Sequence, residues 1–128
     1  MTPKLFAIFI GGGLGSLFRF YLGIRWNVSS DQFPFGTFLA NIISSFILGI
    51  LVAYYIAHPE WKVNYRLFLM TGFCGGFSTF STFSAEAMTM LKDGHLSLAF
   101  LYMGASLLFG LLAVFLGMKV YELFLNAH

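Results

Sequence analysis

Charged residues are confined to a few narrow zones of this chain, and the gaps between those zones decide its fold class. No Lys, Arg, Asp or Glu occurs between Lys4 and Arg19, Asp31 and Glu60, Arg66 and Glu86, or Asp93 and Lys119. A membrane-spanning helix needs about 20 consecutive apolar residues. The gaps therefore centre four predicted spans, near 4–24, 35–57, 67–91 and 97–123. In a chain of 128 residues they leave room for short turns and little else. Turn and headgroup residues separate them: Asn27-Val28-Ser29-Ser30-Asp31, His58-Pro59-Glu60-Trp61-Lys62 and Lys92-Asp93-Gly94-His95. Barrel strands would alternate over segments of about ten residues, whereas these runs are continuous. The expected class is an all-α membrane protein, one transmembrane domain over 1–128.

Composition closes the alternatives. Hydrophobic residues make up 59% and charged residues 9%, against roughly 45–50% and 25% in soluble domains. Seven basic and five acidic residues cannot coat a water-facing surface, and disorder requires the opposite bias. Lys4 followed by an apolar run has the outline of a signal peptide. However, no A-x-A-like site follows and Arg19 lies within the segment, so a retained helix is expected. Cys74 is the single cysteine, which leaves neither an intrachain disulfide nor a cysteine metal cluster. No space remains for a nucleotide loop, a nucleic-acid patch or a soluble catalytic domain, so the chain is expected not to be an enzyme.

Orientation and size point to a second copy. Four spans put the N-terminus, second turn and C-terminus on one side, with Lys4, Lys62, Arg66 and Lys119; the other side carries Arg25 and Lys92. Orientation follows the excess of Lys and Arg in short loops. Four against two is a weak bias that permits insertion both ways or simple obedience to the small excess. Four helices fill their own core with side chains, so a transporter of this size should be an oligomer, most often two-fold. If both orientations occur, the axis can lie in the membrane plane, as in inverted-repeat transporters. Gly11/Gly15, Gly12/Ser16 and Ser106/Gly110 are small-xxx-small pairs, expected to pack helices closely.

Polar groups inside the spans are the functional candidates. Arg19 either faces a cavity or partner group, or snorkels to the interface with Arg25. Thr37, Asn41, Ser44 and Ser45 share one helix face. The Asn41 amide could serve a site or simply join two helices. Three glycines in Gly72-Phe73-Cys74-Gly75-Gly76 weaken the third span by about 1 kcal/mol each against alanine. The hydroxyl residues that follow suit a restarted helix, so a break is expected near 72–79. Such breaks free backbone carbonyls, hard ligands suited to a hard cation, and survive only where protein or a cavity receives them. Phe77, Phe80 and Phe83 would drift round the helix by about 60° per step. Their positive ring edges, flanked by hydroxyl and amide donors, would suit a small anion or else fill the core. Tyr102, Ser106 and Gly110 form a weakly polar stripe, and Glu86 is the one carboxylate well inside a span, a proton site or a vestibule charge.

These residues carry a family resemblance. Gly12-Gly13-Leu14-Gly15-Ser16-Leu17-Phe18-Arg19-Phe20, Gly36-Thr37-Phe38-Leu39-Ala40-Asn41 and Gly72-Phe73-Cys74-Gly75-Gly76-Phe77-Ser78-Thr79-Phe80-Ser81-Thr82-Phe83 resemble, in this order, the Fluc (CrcB-type) fluoride channel family. The resemblance implies a dual-topology antiparallel homodimer with four transmembrane helices per subunit, the third broken, and two pores that export fluoride passively across a bacterial inner membrane. It implies a structural sodium ion on the backbone carbonyls of Gly75 and Ser78 from both subunits. Phe80 and Phe83 would form an aromatic box and Asn41 an amide donor. Tyr102 and Ser106 would make a polar track, with Ser81 and Thr82 as nearby hydroxyls. Arg19, Thr37 and Glu86 are left with electrostatic or structural parts.

The physical reading points the same way. Fluoride is small and tightly hydrated, so a pore must replace its water with many donors yet bind weakly enough to release it. Two other classes compete: a proton-coupled dual-topology exchanger using Glu86, and a non-transporting membrane subunit held by its glycine faces. The first helix has no acidic residue to support the former, and the latter leaves the Phe-Ser-Thr repeat without a role.

Overall fold

Most of the buried residues of this fold are small and most of its large apolar ones lie outside, the reverse of a water-soluble core. The computed structural model describes residues 2–27 and 32–125; Val28 to Asp31 of the expected first turn lie outside the described residues. Ala40, Ser44, Ala53, Cys74, Ala87, Ala99 and Ala113 are buried, while Phe6, Phe9, Leu17, Phe100, Leu107 and Phe124 are exposed. Lipid is as apolar as leucine, so association in a bilayer rests on close backbone packing instead of apolar burial. The protein is a multi-pass, all-α membrane protein.

Helix α1 runs Thr2–Trp26 and α2 runs Phe35–Ala57. Helix α3 is one continuous rod assembled from Val63–Arg66, a π-helical stretch Leu67–Cys74, and Gly75–Phe77. After two extended residues, α4 runs Phe80–Lys92, and α5 runs Leu96–Val120 with a π-helical end, Tyr121–Leu125. Helices α1, α2 and α5 with its extension are each long and apolar enough to cross a membrane. Pro34 precedes α2, where its fixed φ suits the helix start and its missing N–H costs nothing. Pro59 follows the last residue of α2 by two positions, where a helix cannot easily continue. Gly94, φ 84°, ends α4 in the left-handed conformation that favours glycine.

Two backbone-to-backbone seams hold the bundle. A Cβ on Gly11 or Gly15 of α1 would collide with the Phe68 or Phe73 carbonyl of α3, and one on Gly76 with the Gly12 carbonyl. The second seam joins α2 to α5: a Cβ on Gly49 would strike the Val114 carbonyl, and one on Gly117 the Phe46 carbonyl. Gly11 and Gly15 thus pack as their spacing implies. Within the single chain a Cβ at Gly110 meets open space.

The glycines of α3 do not break it. Gly72, Gly75 and Gly76 are all helical, and Gly72 lies against the Ile8 carbonyl of α1, 3.0 Å from an ideal Cβ. Gly72 and Gly76 are there for close approach to α1, which offsets their conformational cost. The interruption comes one turn later, at Ser78 (φ −80°, ψ 158°) and Thr79 (φ −154°, ψ 123°). Phe77 is therefore buried at the end of α3, against Phe18 and Phe73. Phe80 and Phe83 belong to a different helix, so the three rings trace no common spiral.

Candidate functional site

The backbone groups freed at Ser78 and Thr79 need partners, and here they come from α1 and α2. The Asn41 side chain on α2 clasps the Thr79 peptide. Its Oδ1 accepts from Thr79 N at 2.7 Å, and its Nδ2 donates to Thr79 O at 3.3 Å. Ser44, one turn on, donates through Oγ to the Cys74 carbonyl at 2.9 Å, and that oxygen also accepts from Ser78 N (3.0 Å) and Ser78 Oγ (2.8 Å). Thr79 caps α4, its Oγ1 accepting from Thr82 N at 3.1 Å. The shared face of Thr37, Asn41, Ser44 and Ser45 is thus the face that receives the interruption.

Arg19 has a partner group inside the bundle. Its Nε donates to the Gly76 carbonyl at 3.1 Å, at the C-terminal end of α3, where a helix is short of donors and favours a cation. Arg19→Leu should therefore lower the thermal unfolding midpoint of the detergent-solubilised protein, since a half-buried carbonyl loses a charged donor. A midpoint equal to wild type would exclude this capping role.

Beside the interruption lies a cleft of about 320 Å³, lined by Asn41, Ser45, Ser78, Thr79, Phe80, Phe83, Met103, Ser106, Leu107 and Gly110. Its polar groups are neutral. Asn41 has spent one of its two Nδ2 hydrogens on Thr79 and keeps the other. Ser106 Oγ is buried and has no hydrogen-bond partner among the described residues. A buried hydroxyl without a partner carries a desolvation cost, which a bound ion or water would remove. Phe80 and Phe83 stand 6.0 Å apart, tilted by 44°. Phe80 is 81% exposed in the single chain.

Asn41, Phe80, Phe83 and Ser106 thus meet at one place, and three other expected members stand elsewhere. Ser81 is exposed, its hydroxyl 3.4 Å from Thr79 Oγ1. Thr82 lies in the first turn of α4 with its N–H on the Thr79 cap. Tyr102 is fully buried behind Phe83, ring centroids 5.0 Å apart. Its four-residue spacing from Ser106 puts both on one helix face, but a full turn apart along it.

Tyr102 belongs instead to a second polar cluster. Its hydroxyl donates to Glu86 Oε1 at 3.0 Å, while Glu86 Oε2 accepts from Thr37 Oγ1 (3.1 Å) and Asn27 Nδ2 (3.2 Å). Asn27 Nδ2 also donates to Thr37 Oγ1 at 3.0 Å. Its Oδ1 accepts from Gly36 N (2.8 Å) and Thr37 N (3.3 Å), serving as the N-cap acceptor that Pro34 cannot supply. The sequence places Asn27 in a headgroup turn. Nothing in the spacing of Asn27, Thr37, Glu86 and Tyr102 joins them into one network; only the fold does.

A family model described as CrcB-like protein, Camphor Resistance (CrcB), matches residues 6–118. The fluoride-specific ion channel FluC of Paraburkholderia xenovorans (strain LB400) is 46% identical over 118 residues, covering 89% of this chain and 94% of that protein. Proteins of the same name from Pseudomonas paraeruginosa (strain DSM 24068 / PA7) and Acinetobacter baumannii (strain AYE) are 41% and 40% identical. They cover 90% and 94% of this chain, and 94% and 95% of their own lengths. With the family model matched over most of its length and relatives of 40–46% identity along it, the chain belongs to the CrcB family.

Proposed function

We propose that this chain is a fluoride channel that lets fluoride leave the cell passively, working as an antiparallel homodimer of four-span subunits in the cytoplasmic membrane. The relatives' name supplies the ion. The observation that carries the reading is the cleft beside Ser78–Thr79, whose polar groups are neutral donors and whose walls are phenylalanine rings. A fixed cation would hold fluoride too tightly to release it, while hydroxyl, amide and ring-edge contacts bind it weakly at several points. Asn41, Ser106, Phe80 and Phe83 form this path, and Phe80, so exposed on one chain, reaches toward a second copy that completes the wall. Ser81, Thr82 and Tyr102 support it from behind, through the helix cap and the Glu86 cluster. The exchanger reading finds no carboxylate in the cleft.

The carbonyls of Gly75 and Ser78 are the proposed sodium ligands. Thr79 N, which would bond the Gly75 carbonyl in a continuous helix, is taken by Asn41, and Gly75 is exposed near the middle of the span. A carbonyl oxygen without its helical donor suits a hard cation. Bound between two copies, such an ion would join them without taking part in conduction.

The test is efflux from liposomes holding the purified protein, followed with fluoride and chloride electrodes. Fluoride should leave far faster than from protein-free liposomes, and chloride should not. Equal release of both ions, or of neither, would contradict the reading.

A further inference from the structure

Asn27 makes more bonds than any other side chain described, and it joins parts of the fold that are distant in sequence. One amide caps α2 through Gly36 N and Thr37 N, and donates to Thr37 Oγ1 and Glu86 Oε2. A Cβ on Gly36 would lie 2.9 Å from Asn27 Oδ1 and collide with the Leu22 carbonyl. The end of α1, the start of α2 and the Glu86 carboxylate of α4 are thereby locked together. From Glu86 the chain of contacts continues to the Tyr102 hydroxyl at 3.0 Å, and from the Tyr102 ring to Phe83, which borders the cleft. Phe33 also packs edge-on to the Tyr102 ring, at 5.3 Å.

We propose that Asn27 is a positioning residue of the permeation path: by holding Glu86, it fixes Tyr102 and so the Phe83 ring. The proposal rests on the reading of the cleft as a fluoride path. Glu86 on this view neither shuttles protons nor meets the ion. Its two oxygens accept three donors from α5, α2 and the end of α1, so its charge is engaged away from the cleft. Coupling of this kind needs a contiguous set of packed and hydrogen-bonded groups, and each link here is a direct contact.

The chemistry of the pair permits a test by exchange. Asn27→Asp sets a second carboxylate against Glu86, which repels it, and Glu86→Gln removes the charge and leaves one acceptor oxygen where three donors now converge on two. The double variant Asn27→Asp/Glu86→Gln restores complementarity with the same net charge. In it, the carboxylate introduced at position 27 keeps the Gly36 and Thr37 caps on one oxygen. Its other oxygen accepts from the amide introduced at position 86. Two readouts are taken on the full-length protein: thermal unfolding in detergent, and fluoride efflux from liposomes. Each single variant should unfold earlier and carry fluoride about tenfold more slowly, the scale of one lost charged hydrogen bond, and the double variant should recover most of both. Additive loss in unfolding would overturn the Asn27–Glu86 clamp. Coupled unfolding with wild-type flux in all three variants would overturn the positioning role. If wild-type protein carries no fluoride, the reading of the cleft fails, and the positioning role built on it falls too; the unfolding cycle still decides the clamp by itself.

Discussion

Asn41→Asp is expected to cut fluoride efflux by about a hundredfold or more. The reason is charge before it is shape. Two like charges 4 Å apart at an effective dielectric of about 20 repel by about 4 kcal/mol, and each 1.4 kcal/mol is a factor of about ten. The new carboxylate would stand in a cleft that otherwise offers only neutral donors. It would also face the Thr79 carbonyl, 3.3 Å from the present Nδ2, setting one acceptor against another. Asn41→Ala separates the two effects. It releases the Thr79 peptide without adding charge, so its flux should fall less than that of Asn41→Asp. Equal flux in the two variants would mean that the clasp alone matters and that no anion passes nearby. Fluoride-electrode traces on matched protein amounts give the comparison.

Phe80→Ile should lower fluoride flux by about tenfold without unfolding the protomer. Phe80 is 81% exposed, so its own chain loses little packing when the ring is shortened. What disappears is the positive ring edge beside Phe83 and the wall it gives the cleft. Contacts to aromatic edges contribute about 0.5–1.5 kcal/mol each, which sets the scale of the loss. Elution volume in detergent and the unfolding midpoint should match wild type. Wild-type flux in the folded variant would remove Phe80 from the path, and a large drop in the midpoint would show that the ring is structural.

How much of this could be read without coordinates depended on the range of the interactions involved. The helices were legible because charge is costly in lipid and the gaps in charge mark them directly. The α1 seam was legible too, since Gly11 and Gly15 face α3 at the spacing that allows close approach. The interruption falls within the expected 72–79, but at Ser78–Thr79 and not among the glycines. Glycine content points to Gly72–Gly76, yet those residues stay helical, with the backbone of α1 pressed against Gly72 and Gly76. The chain instead opens where Asn41, 38 residues away in sequence, draws off the Thr79 N–H. Asn27 was hidden for the same reason: in sequence it is a turn residue before a proline, and its partners lie on α2 and α4. The seam at Gly49 and Gly117 was overlooked although Ser45/Gly49 and Ala113/Gly117 repeat the small-xxx-small spacing. Ser106 borders the cleft, but its period-four neighbour Tyr102 turns to Glu86, a choice that only tertiary contacts make.

The most direct measurement of passive conduction through a neutral cleft is the voltage and proton dependence of wild-type efflux. Liposomes loaded with potassium fluoride should release fluoride quickly only when valinomycin lets potassium follow, and the rate should be the same at pH 7 and pH 8. Rapid release without valinomycin, or release that needs a proton gradient, would mean that the ion moves with a compensating charge and that this protein is not a channel.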